Sequence, residues 1–340
     1  MKVFYSEAHR EHEPPFEVFD GGLRTPYMEN TDRMDRILNA LHQTDWADLC
    51  EPKDFGLDPI HAVHDKDYID FLASCWIEWL DSEAQDKSTL LPATFALRRH
   101  PQKPTSLLGR AGYYIMDLSA CIVEGTYQAA RAAANCALSA ADSVAGGERI
   151  AFALCRPPGH HAGKDYAGGY CFINNASVSA NWLSSQGKVA LLDIDYHCGN
   201  GTQDIFYERD DVLTISIHAD PNFEYPHYWG YANETGSGAG LGFHKNFPLE
   251  KGTDNGRYLT ALEDALSLIS RFGPKHLVVS AGMDIYAHDP LGTIKVSTEG
   301  IGEIGKRIAS LGLPTVIVME GGYANEVLGT NITTFLGEMR

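Results

Sequence analysis

The chain has 340 residues, 44% of them hydrophobic, which is enough for a large core in one big α/β domain or two ordinary ones. Its formal net charge is −18, with 45 acidic against 27 basic residues, so it lacks the basic footprint that nucleic-acid binding needs. The acidity has two readings, long-range steering of cationic substrates and plain solubility, and solubility is the commoner role of surface charge.

The N-terminal segment Met1-Lys2-Val3-Phe4-Tyr5-Ser6-Glu7 meets a charge too early for a signal peptide. No apolar run is long enough to span a bilayer. Cysteines stand at 50, 75, 121, 136, 155, 171 and 198 without a C-x-x-C pair, and an odd, scattered set points to reduced thiols. A soluble, cytoplasmic protein with no membrane partner is expected.

In chain order, short apolar and β-branched runs predict strands at Val3–Tyr5, Ile150–Leu154, Val189–Ile194, Val212–Ile217, Leu277–Ser280 and Thr315–Met319. Helical stretches fall between most of them. Thr126–Ala145 is rich in alanine and stops at Gly146-Gly147, Asn174–Gln186 stops at Gly187, and Asn255–Arg271 stops before Gly273-Pro274. Two long loops are expected. His12–Asn30 carries Pro14-Pro15 and Gly21-Gly22, and Asp81–Leu108 is polar, proline-bearing and basic near Arg98-Arg99-His100. Strand alternating with helix implies an α/β fold with a mainly parallel sheet and helices on both faces. Such sheets place ligands beyond the carboxyl ends of their strands. With no internal repeat or low-complexity linker, residues 1–340 read as one domain.

The residues with chemistry sit at those strand ends. Leu191-Leu192-Asp193-Ile194-Asp195-Tyr196-His197 ends in D-x-D-x-H, and alternation places Asp193, Asp195 and His197 on one face. The run Leu277-Val278-Val279-Ser280 leads to another acid, Asp284. Asp195, His197 and Asp284 together suit a divalent metal with an open position for water. Arg156-Pro157-Pro158-Gly159-His160-His161 follows the strand at 150 and presents two imidazoles for acid–base work. Glu320-Gly321-Gly322-Tyr323 follows the last strand, and a tyrosine behind two glycines can donate its phenol hydrogen to a developing oxyanion. Each piece alone has a bland reading: an N-cap for the aspartates, core filling for the histidines, a turn for the glycines. Their joint placement makes a shared site the better explanation.

These motifs, together with Gly168-Gly169-Tyr170-Cys171-Phe172-Ile173-Asn174-Asn175 and Gly199-Asn200-Gly201-Thr202, resemble the histone deacetylase superfamily and its arginase-type deacetylase fold. The branch most resembled is the bacterial acetylpolyamine amidohydrolases, over essentially the whole chain. The resemblance implies Zn²⁺ on Asp195, His197 and Asp284, with Fe²⁺ or Co²⁺ as substitutes. It implies His161 as the general base and then acid, His160 as an electrostatic partner ordered by Asp193, and Tyr323 as the oxyanion donor. It places Gly169, Tyr170 and Tyr225 along a narrow substrate channel. It also implies a structural K⁺ on side-chain and backbone oxygens of Asp193, Asp195, His197, Ser216 and Ile217. The substrate would be a small, cationic acetylated amine. Residues 81–108 resemble the insertion that forms a homodimer and narrows the channel in the polyamine branch.

The sequence departs from the family pattern in places. Cys198 follows the ligand His197 where a second histidine is usual, and reads as a small buried side chain. Asn200 stands where some members carry an aspartate, and a neutral partner leaves His161 less basic. Ser106 and Leu108 precede Gly112-Tyr113-Tyr114 where polyamine members carry carboxylates, and Glu17 and Asp117 are the nearest acidic substitutes for holding the substrate's ammonium groups. Alternative readings are a protein lysine deacetylase, an arginase-like ureohydrolase and an inactive acetyl-amine binding module. The second needs more ligands than one D-x-D-x-H and Asp284 supply, and the third should have lost a ligand, base or tyrosine.

Overall fold

Among the described residues, a sheet of eight strands, every pairing parallel, carries the fold. The computed structural model describes residues 1–19, 22–96 and 102–340, so the basic stretch Arg98-Arg99-His100 and Gly21 lie outside the described residues. The strands in chain order are β1 (Lys2–Phe4), β2 (Glu17–Phe19), β3 (Leu23–Thr25), β4 (Asp48–Cys50), β5 (Ile150–Ala153), β6 (Val189–Asp193), β7 (Val212–Ala219), β8 (His244–Leu249), β9 (His276–Ala281) and β10 (Thr315–Met319). The helices are α1 (Asp32–His42), α2 (Asp58–His61), α3 (Lys66–Asp81), α4 (Leu107–Tyr114), α5 (Thr126–Ala145), α6 (Asn175–Ser184), α7 (Asn200–Phe206), α8 (Asn255–Phe272), α9 (Thr298–Ala309) and α10 (Asn325–Met339).

The spatial order is β4-β1-β5-β10-β9-β6-β7-β8. The strands β9 and β10 come last in the chain, yet they fill the gap between β5 and β6. Segments far apart in sequence therefore leave the sheet side by side at its carboxyl edge. Strand pleating sends successive side chains to opposite faces. Ala151, Ala153, Leu191, Val278 and Val318 pack with α5 and α6 on one face. Phe152, Leu192, Val279, Ile317 and Met319 pack with α1, α8, α9 and α10 on the other. Both faces of the central strands are covered, which is why those strands are apolar throughout.

The predicted strands all appear, with ends displaced by a residue or two. The edge strands β4 and β8 were not anticipated. Only one side of an edge strand is paired, so polar residues and Pro248 are tolerated there and the apolar signal fades. Within the expected loop His12–Asn30, β2 and β3 pair as an antiparallel hairpin. The expected loop 81–108 begins where α3 ends and gives way at Leu107 to α4, whose N-terminus is capped by the Ser106 hydroxyl accepting from the Gly109 N–H. Leu90 ties that loop to the body by exchanging backbone hydrogen bonds with Ile122. Among the described residues no helix is long and apolar enough to cross a membrane.

Candidate active site

Four neighbouring strands, β5, β10, β9 and β6, bring the candidate residues together at a cavity of about 600 Å³, which His160, His161, Asp195, His197 and Tyr323 line while Asp284 stands just outside its lining. His160 and His161 follow β5, Tyr323 follows β10, Asp284 follows β9, and Asp195 and His197 follow β6. The strand β6 ends at Asp193, so Asp195 and His197 ride on a turn and not on the strand proper. Each carboxylate there accepts the amide two residues on: Asp193 Oδ1 from Asp195 N at 3.0 Å, and Asp195 Oδ1 from His197 N at 2.8 Å. These local bonds pull the backbone out of the ladder and present both side chains to the cavity.

Asp195, His197 and Asp284 each offer a ligand atom, and these atoms lie within 4.8 Å of one another. His197 Nδ1 is 3.3 Å from Asp195 Oδ1 and 3.1 Å from Asp284 Oδ2. The remaining oxygens are aimed by backbone amides: Gly321 N–H donates to Asp195 Oδ2 at 2.8 Å, and Tyr196 N–H to Asp284 Oδ1 at 2.8 Å. Burial and the adjacent Asp195 push the Asp284 carboxyl up to about 7. Burial opposes ionisation of Asp195 too, but His160 and His197 hold it well below the usual carboxylate range. Two crowded acids and an imidazole, both acids fully buried, form a donor set that fits one divalent cation. A second buried trio, His160, Cys171 and Glu320, is equally tight. It is a poor ligand set, because burial pushes the Cys171 thiol well up and amide donors occupy Glu320.

The tandem histidines have different partners. His160 Nδ1 donates to Asp193 Oδ2 at 3.0 Å, whereas His161 Nδ1 faces Asn200 Oδ1 at 2.6 Å. The Asn200 amide nitrogen is directed to the His161 carbonyl and the Tyr166 hydroxyl, so its oxygen is the end that meets His161. Burial, with His160 and His197 nearby, holds His161 well below the ordinary imidazole value. Burial also opposes charge on His160, but Asp195 and Asp193 overcome it and raise His160 to about 10. One imidazole is thus kept neutral and the other charged, with ring centroids 4.0 Å apart.

Other residues hold these loops in place. Glu320 Oε2 accepts the amides of Gly159 and His160, and its Oε1 accepts from the Ser280 hydroxyl. Asp289 Oδ2 accepts the amides of Tyr323 and Ala324 at 2.6 and 3.0 Å. Arg33 donates to the carbonyls of Glu320 and Gly322, pairs with Glu29 at 2.6 Å, and lies over the Tyr323 ring. Arg156 reaches the same Glu29 oxygen at 3.1 Å. The Glu29-to-Arg33 spacing was the one available sequence signal, and it reads as an ordinary helical surface pair. No motif marked Asp289.

Gly169, Tyr170 and Tyr225 line the cavity beside Tyr323. A Cβ on Gly169 would lie 2.2 Å from His161 Cδ2, so only glycine lets the imidazole sit there. The two acids expected to meet a substrate ammonium are differently placed. Asp117 lines the cavity, where its Oδ2 accepts from the Tyr225 hydroxyl at 2.6 Å and Gly169 N–H at 2.7 Å. Glu17 is fully buried behind the wall, outside the residues that line the cavity, and its carboxylate accepts from the Tyr170 hydroxyl at 2.6 Å. Its β2 position turns the side chain inward. On the other side of β6, Ser216 of β7 pairs in register with Asp193, and Ile217 follows it. Cys198 is buried beside Gly230.

Residues 27–339 match the family model described as "Histone deacetylase domain". The chain is 45% identical over 341 residues to Acetylpolyamine amidohydrolase 1 of Pseudomonas aeruginosa, covering 99% of this chain and 98% of that one. It is 42% identical over 339 residues to the Acetylpolyamine amidohydrolase of Mycoplana ramosa, with coverage of 99% and 98%. The crystal structure of an acetylpolyamine aminohydrolase from Burkholderia pseudomallei superposes with a TM-score of 0.96 at 39% identity, covering 100% of this chain and 98% of that one.

A Cβ on Gly321 would lie 2.5 Å from Asp284 Oδ2 and 2.8 Å from Asp195 Oδ2. Gly321→Ala should therefore weaken divalent-metal affinity by about 10–100-fold, the usual effect of disturbing groups that orient ligands. Calorimetric titration with Zn²⁺ measures this, and unchanged affinity would contradict the assignment of those carboxylates.

Proposed function

The chain belongs to the histone deacetylase family, and we propose that it acts as a metal-dependent acetylpolyamine amidohydrolase, releasing acetate and a free amine from small acetylated polyamines. The observation that carries this reading is the meeting of Asp195, His197, His161 and Tyr323 in the wall of one cavity with aromatic sides, with an Asp284 oxygen within 4.8 Å of the Asp195 and His197 ligand atoms. Identity of 42–45% to acetylpolyamine amidohydrolases over nearly the full length supports the substrate class. Acetylputrescine and acetylcadaverine are the leading substrates, followed by acetylspermidine, acetylspermine and small acetyl-lysine compounds.

Asp195, His197 and Asp284 would hold one Zn²⁺, with Fe²⁺ or Co²⁺ able to replace it. Bound there, the cation supplies Lewis acidity toward an amide carbonyl and water. The chain's own groups do the proton work. With the proton on Nδ1 toward Asn200, His161 keeps its lone pair on Nε2 and takes a proton from the attacking water. Water oxygen bonds to the acyl carbon, and the carbonyl becomes an oxyanion that accepts from the Tyr323 hydroxyl. His161 then passes its proton to the leaving nitrogen as the C–N bond breaks. Charged His160, held by Asp193, stabilises the developing negative charge. Asp117, facing the cavity, is placed to attract the distal ammonium, whereas Glu17 acts by fixing Tyr170.

Beneath this site, Asp193, Asp195, His197, Ser216 and Ile217 would hold a structural K⁺, a reading supported by the pairing of Asp193 with Ser216. We read residues 1–340 as one deacetylase domain, with 81–108 as the segment that pairs two copies, and the cytoplasm as its compartment.

Released amine from N-acetylputrescine, N-acetylcadaverine, N⁸-acetylspermidine and an acetyl-lysine peptide tests the proposal. Metal-dependent turnover of the small diamines in preference to the peptide is expected. Turnover mainly of the peptide would make the protein a lysine deacetylase instead. The pH profile tests His161. Burial lowers this group, so its active neutral form is present throughout neutral pH. Asn200→Asp places a carboxylate beside Nδ1 and should raise it, moving the acid limb of kcat/KM upward by about 1–3 pH units. A limb that stays in place would remove His161 from the role of base.

A further inference from the structure

Resting on the acetylpolyamine reading of the site, we propose that the Tyr225–Asp117 hydrogen bond is a latch that fixes the bore of the substrate channel and walls it off from an aromatic side cavity. The bond joins separate segments of the cavity wall. Tyr225 follows β7, Asp117 follows α4, and Gly169 belongs to the loop that carries Tyr170. One carboxylate oxygen, Asp117 Oδ2, accepts from both the Tyr225 hydroxyl at 2.6 Å and the Gly169 amide at 2.7 Å. The other oxygen accepts from Ser119 N, Ser119 Oγ and Ala120 N at 3.0, 2.9 and 3.1 Å, so the carboxylate cannot rotate without breaking several bonds. The latched Tyr225 ring stands edge-on to His161, with centroids 5.0 Å apart at 89°. Its position therefore sets the clearance at the reacting end of the channel.

Beyond the latch lies a second cavity of about 740 Å³. It shares Phe95, Met116, Asp117, Tyr225 and His227 with the catalytic cavity, so these residues are the partition between the two. Its other walls include Tyr113, Tyr166, Tyr228 and Trp229. With the latch closed, the channel admits a slender methylene chain. With Tyr225 released, a substituent beside the acyl group gains room in the side cavity. The latch thereby selects linear acetylated amines over branched or aromatic ones. A tyrosine hydroxyl is required for this, since phenylalanine would keep the ring and lose the bond.

The test compares zinc-loaded wild-type protein with Tyr225→Phe in binding two hydroxamates, one on a linear alkylamine and one with an aryl group beside the chelating end. Hydroxamate binding requires the metal site and not acetyl turnover. Failure of the wild-type protein to hydrolyse acetylated diamines, measured in parallel, would count against the functional reading and leave the latch test intact. The linear-over-aryl affinity ratio should fall about tenfold in Tyr225→Phe, the factor expected for one charge-assisted hydrogen bond. A ratio unchanged within about twofold would overturn the latch. Thermal unfolding confirms that the variant is folded; if Tyr225→Phe is unstable, Asp117→Asn, which weakens the same bond from its other end, should shift the ratio in the same direction when the linear hydroxamate carries an alkyl chain without an amine, so that loss of ammonium attraction plays no part.

Discussion

Burial of negative charge at the ends of the central strands is the constraint on which the site depends. Asp193, Asp195, Asp284 and Glu320 are all buried, and an isolated buried carboxylate is costly unless paired or coordinated. Amide donors satisfy part of each group. Charged His160 balances Asp193 and lies 3.8 Å from Asp195. Glu320 turns toward the Gly159–His160 amides. What remains is the pair Asp195 and Asp284 beside His197, where a divalent cation would complete the balance. The same negative charge holds His160 protonated, whereas burial beside His160 and His197 keeps His161 neutral.

The strand order brings this about. Insertion of β9 and β10 between β5 and β6 places Tyr323 and Asp284 between the tandem histidines and the D-x-D-x-H turn. Asp289 and Arg33 then grip the Tyr323 loop from two directions, by its amides and by its carbonyls. An oxyanion donor needs positional accuracy more than flexibility, and loops clamped on both backbone edges provide it. The channel walls follow the same rule, since Tyr170 and Tyr225 each have their hydroxyl held by a carboxylate.

Much of this was legible from the residues alone. Central strands are buried on both faces, so they appear as continuous apolar runs, and the candidate site residues stand shortly after them. Edge strands β4 and β8 carry no such run. The helix α9 carries Gly300, Gly302 and Gly305, which read as breakers, yet it packs closely on α10. Tyr225 lies in a loop with no local motif, and only the family resemblance pointed to it. The burial of Glu17 and its bond to Tyr170 could not be read from the sequence, which records charge and not direction. The buried Glu29–Arg33–Arg156 network was missed because the Glu29–Arg33 spacing looks like an ordinary surface pair and Arg156 joins it only through tertiary packing.

One divalent cation on Asp195, His197 and Asp284 would make this chain an amidohydrolase. The direct measurement is a titration of metal-free protein with Zn²⁺ while amine release from an acetylated diamine is followed. Activity should rise linearly from zero and level off at about one equivalent per chain, matching the three-ligand set. A break at two equivalents would indicate a two-metal, arginase-like centre, and turnover before any metal is added would contradict the account outright.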